Sequence, residues 1–179
     1  MNLKQIAKSV ALASALVAST SAFAANDGTL GATSTGDLTV SLSVADRVQI
    51  SGLDDILLGA YGGTGGLTGS SAFCVYRNGT GAYNLTVSSG NQDGSAFRAT
   101  DDGTNFIGYT VRFDADNNAS DGTLAASGTQ ITDLSGNSSA TNCGGNDNAA
   151  LDVIFTEADL QAAPTGSFSD VITLLVEPS

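Results

Sequence analysis

Between residues 37 and 45, Leu38, Val40, Leu42 and Val44 alternate with Thr39, Ser41, Ser43 and Ala45. Side chains two apart on an extended chain share a face, so this pattern predicts a strand with one apolar side. Residues 47–51 can continue it. The short apolar run Leu53-Asp54-Asp55-Ile56-Leu57-Leu58 follows, and residues 59–71 read as a Gly/Thr/Ser loop. Segments 72–77 and 82–87 flank Asn78-Gly79-Thr80-Gly81, residues that tolerate positive φ, so they form either a hairpin or one strand with a bulge. Further strands are expected at 96–99, 105–113 and 149–155. A mostly apolar strand at 166–176 is stopped by Pro178. The one helical turn expected is 156–162, with Thr156 as its cap and Glu157 and Asp159 near the positive end of its dipole. Many short strands separated by Gly, Asn, Asp and Ser predict an all-β chain folded as an antiparallel β-sandwich. No fixed-period repeat is present.

The first two dozen residues follow a different pattern. Lys4 and Lys8 precede an uncharged, largely apolar run, and Ala22-Phe23-Ala24 puts small residues where a signal peptidase reads. The run is too short for a bilayer span, which needs roughly 20 apolar residues. A secretory signal peptide over 1–24, cleaved after Ala24, is expected, with no membrane span afterwards.

Cleavage changes the charge. The full chain of 179 residues carries 6 basic and 18 acidic groups, but removing both lysines leaves four arginines against 18 acids, a net charge of −14. Without lysine there is no Schiff-base or lysine-base chemistry, and without His there is no histidine base or ligand. This acidity argues against nucleic acid as a partner, since its phosphates need a basic surface, and none is expected. With 41% hydrophobic and 13% charged residues the chain has enough apolar material for a core and does not read as disordered. Its length suits one domain with an extension.

Export places Cys74 and Cys143 in an oxidising compartment, where two cysteines are most simply one structural disulfide. A nucleophilic thiol would need a partner to make the thiolate, and there is no His.

The remaining polar clusters carry little chemistry. Asp114-Ala115-Asp116-Asn117-Asn118 begins like a calcium loop, but Ala119 stands where an EF-hand needs Gly and Ala125 where it needs the bidentate Glu. An acidic hairpin tip is expected there, with no metal ligand assigned. Asp101 and Asp102 are adjacent on a turn and diverge, so they do not face one another as acid and base. The glycines at 62, 63, 65, 66 and 69 lack the strand-to-helix setting of a phosphate cradle. Sequons begin at Asn78, Asn84, Asn118 and Asn137, a number expected by chance in so Asn/Ser/Thr-rich a chain. Tyr61, Tyr76, Tyr83 and Tyr109 could stack on sugars, but they read as strand residues half in the core. No enzyme activity and no cofactor are expected.

Several stretches gain meaning when taken in order: the alternating segment 38–44, Phe73-Cys74-Val75 leading through Asn78-Gly79 to Tyr83-Asn84-Leu85-Thr86-Val87, Ile107 to Phe113, and the ending from Gly166 to Val176. Together they resemble the spore coat protein U domain family, which includes the subunits of archaic chaperone–usher pili. The similarity covers most of the mature chain, and its most telling part is Gly166-x-Phe168-x-Asp170 followed by a terminal apolar strand. The resemblance implies an immunoglobulin-like sandwich lacking its last strand, whose groove is filled by a periplasmic chaperone or by the next subunit's N-terminal extension. It implies a donor strand at Leu38, Val40, Leu42 and Val44, in an extension over 25–46, and a sandwich domain over 47–179. It implies an acceptor groove partly along the final strand, through Ile172, Leu174 and Val176. Members of the family have a Cys just after the donor strand, paired with the equivalent of Cys74; here Ala45-Asp46-Arg47-Val48 has none, which makes Cys143 the partner. The ending Glu177-Pro178-Ser179 also extends past the usual terminal strand.

The first functional expectation is a surface pilus subunit, shaft or adaptor rather than tip, joined to neighbouring subunits and handled by a chaperone and an outer-membrane usher. The second is a secreted, coat-like or glycan-binding monomer whose own segment 38–44 folds back to complete the sandwich. A third, a hydrolase using acidic residues, would require two carboxylates converging in a cleft.

Overall fold

The computed structural model describes residues 25–118 and 122–179. The expected signal peptide and residues 119–121 of the acidic loop lie outside them. The chain divides into two units at Val44/Ala45.

In the first unit, Asn26 and Asp37 exchange both backbone hydrogen bonds, at 2.8 and 2.9 Å. Residues 38–44 then run without strand pairing. Leu38, Val40, Leu42 and Val44 are 75, 85, 88 and 67% exposed. Among the described residues the expected strand therefore has the sequence pattern of a strand but takes part in no ladder.

The second unit holds nine strands among the described residues: β1 (Val48–Ser51), β2 (Leu67–Arg77), β3 (Ala82–Ser89), β4 (Phe97–Thr100), β5 (Phe106–Asp114), β6 (Thr123–Leu124), β7 (Gln130–Ser135), β8 (Ala149–Phe155) and β9 (Ile172–Pro178). All pair antiparallel. One sheet runs β1-β2-β8-β5-β4, with β6 beside β5; the other is β7-β3-β9. Phe73, Val75, Val111, Phe113 and Leu151 of the first sheet pack against Tyr83, Leu85, Val87 and Leu134 of the second. The result is an all-β, immunoglobulin-like antiparallel sandwich. A second cluster of Ala99, Ile107, Val153 and Phe155 lies toward one end.

Local chemistry accounts for several boundaries. The helix α1 (Glu157–Ala162) begins where expected, with the Thr156 hydroxyl accepting from the Asp159 N–H at 3.2 Å. Elsewhere tertiary pairing overrides the local pattern. The strand β2 starts at Leu67, inside the expected loop, because Leu67 through Phe73 pair continuously with Phe155 through Ala149. Ladder hydrogen bonds satisfy a Gly/Ser/Thr backbone regardless of its weak strand propensity. The segments flanking Asn78-Gly79-Thr80-Gly81 are neither hairpin nor bulge, since β2 and β3 belong to different sheets and the turn crosses between them. The expected strand from 166 is ordered as a strand from Ile172 and continues through Pro178, which stands opposite Tyr83 of β3; β9 is itself the edge strand, where a missing N–H is tolerated. No local pattern announces β7, because its register slips between Tyr83 and Leu85 and Asp133 takes φ 61°, breaking the period of two.

Cys74 and Cys143 are joined, with Cα atoms 5.7 Å apart. The bond ties β2 to the loop between β7 and β8. Beside it, the Asn148 side chain takes the place of a ladder partner, accepting from Val75 N at 2.8 Å and donating to Val75 O at 3.0 Å.

Candidate functional site

The strand β9 is an edge strand: it pairs with β3 on one side and with no described strand on the other. Its free edge borders an apolar groove of about 740 Å³. The floor comes from the first sheet, through Ala99, Tyr109, Leu151, Val153 and Phe155. One wall is β9 with the residues before it, from Phe168 to Val171, and the other is segment 53–59. Small and apolar residues at alternate positions of β8 and β9 build this lining, since every second side chain turns toward the opposite sheet.

The structure brings Ile172 and Leu174 of the expected acceptor strand to the groove. Val176 faces the same way but packs against the main core cluster beyond it. The outward partners Val171 and Leu175 are 72 and 53% exposed. Sequence reasoning missed the floor. Tyr109, Val153 and Phe155 were readable as strand residues, but that they line one groove depends on the order β8-β5-β4, which no local signal carries.

A polar junction closes one end of the groove. Asp170 Oδ2 accepts from the Tyr109 hydroxyl and from Ser89 Oγ, each at 2.5 Å, and Oδ1 accepts from Asn91 Nδ2 and from its own neighbour's N–H, Val171, at 2.9 and 2.8 Å. Burial, and then the Asp170 carboxylate, push the Tyr109 phenol far above its ordinary range. The same ring sits 5.0 Å from Phe155 and 5.7 Å from Phe97, centroid to centroid. Asp54, Asp55 and Asp170 are the charged residues of the lining, so the groove is apolar inside and acidic at its rim.

A second polar cluster stands at the start of the unit. Asn78 Nδ2 donates to Ala45 O at 2.9 Å, while Asn78 Oδ1 accepts from Arg47 N at 2.8 Å. The buried Arg77 guanidinium pairs with Asp46 at 3.3 Å and donates to Ala82 O and Ser179 O. These contacts hold residues 45–47 to the body of the sandwich.

The acidic clusters have local tasks. Asp101 accepts from the Asn105 side chain and from the N–H groups of Asp102 and Asn105, and the Asn105 hydrogen bond leads the contacts that hold its carboxyl below the usual range. Asp114 Oδ1 and Asp116 Oδ1 accept from N–H groups two residues on, the geometry of a turn. Among the described residues no group of three or more His, Cys, Asp or Glu is placed to hold a metal ion. Tyr83 is fully buried in the core, and no described group accepts its hydroxyl proton.

No protein-family model matches the chain, and no curated protein does. Among solved structures it is similar to one described as a chaperone–tip adhesin complex in the biogenesis of CFA/I fimbriae, with a TM-score of 0.51 and 15% identity over 74% of this chain. That match spans 43% of the other chain, so this protein corresponds to less than half of it. The likeness establishes a shared fold.

Proposed function

We propose that the protein is a structural, non-enzymatic subunit of a surface pilus, exported through the periplasm and polymerised by donor-strand exchange. Segment 38–44 of one chain fills the groove beside β9 of the next. The observation that carries this reading is the coexistence, in one chain, of an edge strand over an open apolar groove and an unpaired segment with four exposed apolar side chains at period two. The fold shared with a chain of a chaperone–tip adhesin complex supports it. So does charge: residues 38–45 carry none, which suits a groove whose rim is acidic.

The energetics show what else the joint requires. Burying four such side chains yields about 6 to 12 kcal/mol, and ordering seven backbone residues costs about 7 to 14 kcal/mol. Area alone leaves the joint near balance. Hydrogen bonds along the free edge of β9, and relief of the otherwise wetted groove, supply the surplus. The same groove suits a periplasmic chaperone before assembly and presentation of the subunit at an outer-membrane usher. No cofactor enters this reading.

The test is a gel of surface-extracted protein, loaded unheated and boiled, beside a Leu42→Asp variant. A ladder that boiling collapses and the variant lacks is the expected result. A single monomer band in unheated wild type would sink the pilus reading and favour a domain completed by its own segment.

A further inference from the structure

Segment 53–59 is an unusual wall for a groove. It has no ladder, and among the described residues one hydrogen bond ties it to the rest, from Asp54 N to Ser71 Oγ at 3.0 Å. What holds it is side-chain packing: Ile56 and Leu58 seat against the Ala99/Ile107/Val153/Phe155 cluster. Their spacing of two, with Leu57 between them 90% exposed, repeats the period of Leu38, Val40, Leu42 and Val44. Gly69 of β2 makes the seat possible, because a Cβ there would lie 2.4 Å from Ile56 Cγ2 and 2.7 Å from Leu58 Cδ2. The segment is bounded by Gly52 and Gly59, at φ 84° and 74°, conformations that glycine adopts without strain. A short strip flanked by glycines, held by two side chains and one hydrogen bond, has little backbone pairing to lose when it lifts.

We infer that residues 53–58 are a built-in placeholder, which seats Ile56 and Leu58 in the groove of an unfilled subunit and swings out as the donor strand of a second copy enters. The inference rests on the donor-strand reading above and adds a step to it: the acceptor opens a strap of its own before or as it is filled. In the unfilled chain the placeholder keeps water from part of the Val153/Phe155 floor, and it slows entry by weak partners because the strap must open first.

The strap can be locked in place. A Cβ at Gly69 would lie 3.9 Å from Ile56 Cβ, within the roughly 3.5 to 4.5 Å that a disulfide requires; Ile56→Cys removes the Cγ2 atom it would otherwise meet, and the close approach left, 2.7 Å to Leu58 Cδ2, is to the far end of a flexible side chain. The acceptor for the test is the full exported chain carrying Leu42→Asp, so that its own segment does not compete, and the probe is a fluorescent peptide of residues 37–45. Adding Ile56→Cys and Gly69→Cys should slow peptide uptake at least about tenfold when oxidised, with recovery on mild reduction. The parent acceptor in the same buffers controls for Cys74–Cys143. Equal rates in both redox states, with uptake by the parent intact, would overturn the placeholder and leave donor-strand exchange standing. No uptake by the parent would overturn both. A second measurement covers failure of the double variant to fold or crosslink. Cys74 and Cys143 are bonded, so Ile56→Cys alone supplies a single free thiol, and peptide binding should raise its labelling rate at least about fivefold. Unchanged or slower labelling contradicts the swing.

Discussion

The Tyr109 hydroxyl donates to Asp170 Oδ2 across 2.5 Å, joining β5 of one sheet to the approach of β9 in the other. It does so at the end of the groove, beside the edge of β9 that pairs with no described strand. Hydrogen bonds to charged acceptors contribute about 1.5 to 3 kcal/mol. Tyr109→Phe keeps the ring on Phe155 and should lose stability in that range by urea denaturation. Asp170→Ala, which also strands Ser89 and Asn91, should cost about 3 kcal/mol or more.

Alkaline pH should weaken the fold through two phenols. Burial raises Tyr83, and burial with Asp170 raises Tyr109, both far above the ordinary value of 10.0. A raised folded-state value means that the unfolded chain releases these protons first. Their contribution is fully present below pH 10.0 and falls as pH rises beyond it. Denaturation midpoints should be level from neutral pH to about pH 9 and drop above about pH 10, by roughly 1 kcal/mol per pH unit for each phenol. Tyr109→Phe should make the decline shallower; an unchanged slope would refute its share.

The disulfide should matter to the chain after export. It closes a separation of 69 residues, for which loop-closure entropy predicts about 4 kcal/mol. Replacing Cys74 and Cys143 together by Ser should lower stability by about 2 to 5 kcal/mol, read as a lower urea midpoint with a steeper slope, since the uncrosslinked unfolded chain exposes more surface.

Asn78 should govern access to Arg47. Its amide clips Ala45 O and Arg47 N, and Arg47 is one of four arginines left after the expected signal cleavage. Asn78→Ala removes two exposed hydrogen bonds, a local loss of about 1 to 2 kcal/mol. Limited trypsin digestion should then cut after Arg47 several-fold faster, with cleavage at the buried Arg77 unaffected. Equal rates at Arg47 would show that β1 pairing alone protects it.

The alternating residues 38–44, the cap at Thr156 and the single pair of cysteines were all legible, because each depends on neighbours in the chain or on a count. The strands at 82–87 and 149–155 were legible for the same reason, and in β3 every second residue is buried because period two records which face a side chain takes. The sequence by itself thus determined an all-β sandwich with one crosslink and an apolar strip near its start. Tertiary structure decided the rest. That β2 extends back to Leu67, that β3 lies in the other sheet and that β7 pairs across a bulge at Asp133 follow from ladders between segments far apart in sequence. Period two says that Ile172 and Leu174 share a face but not what stands opposite them. Only the packed sheets place them beside Tyr109 and Phe155, with an open edge on one side and a hinged strip over the seat at Gly69, because a groove is made by the distance between elements and no single segment encodes that distance.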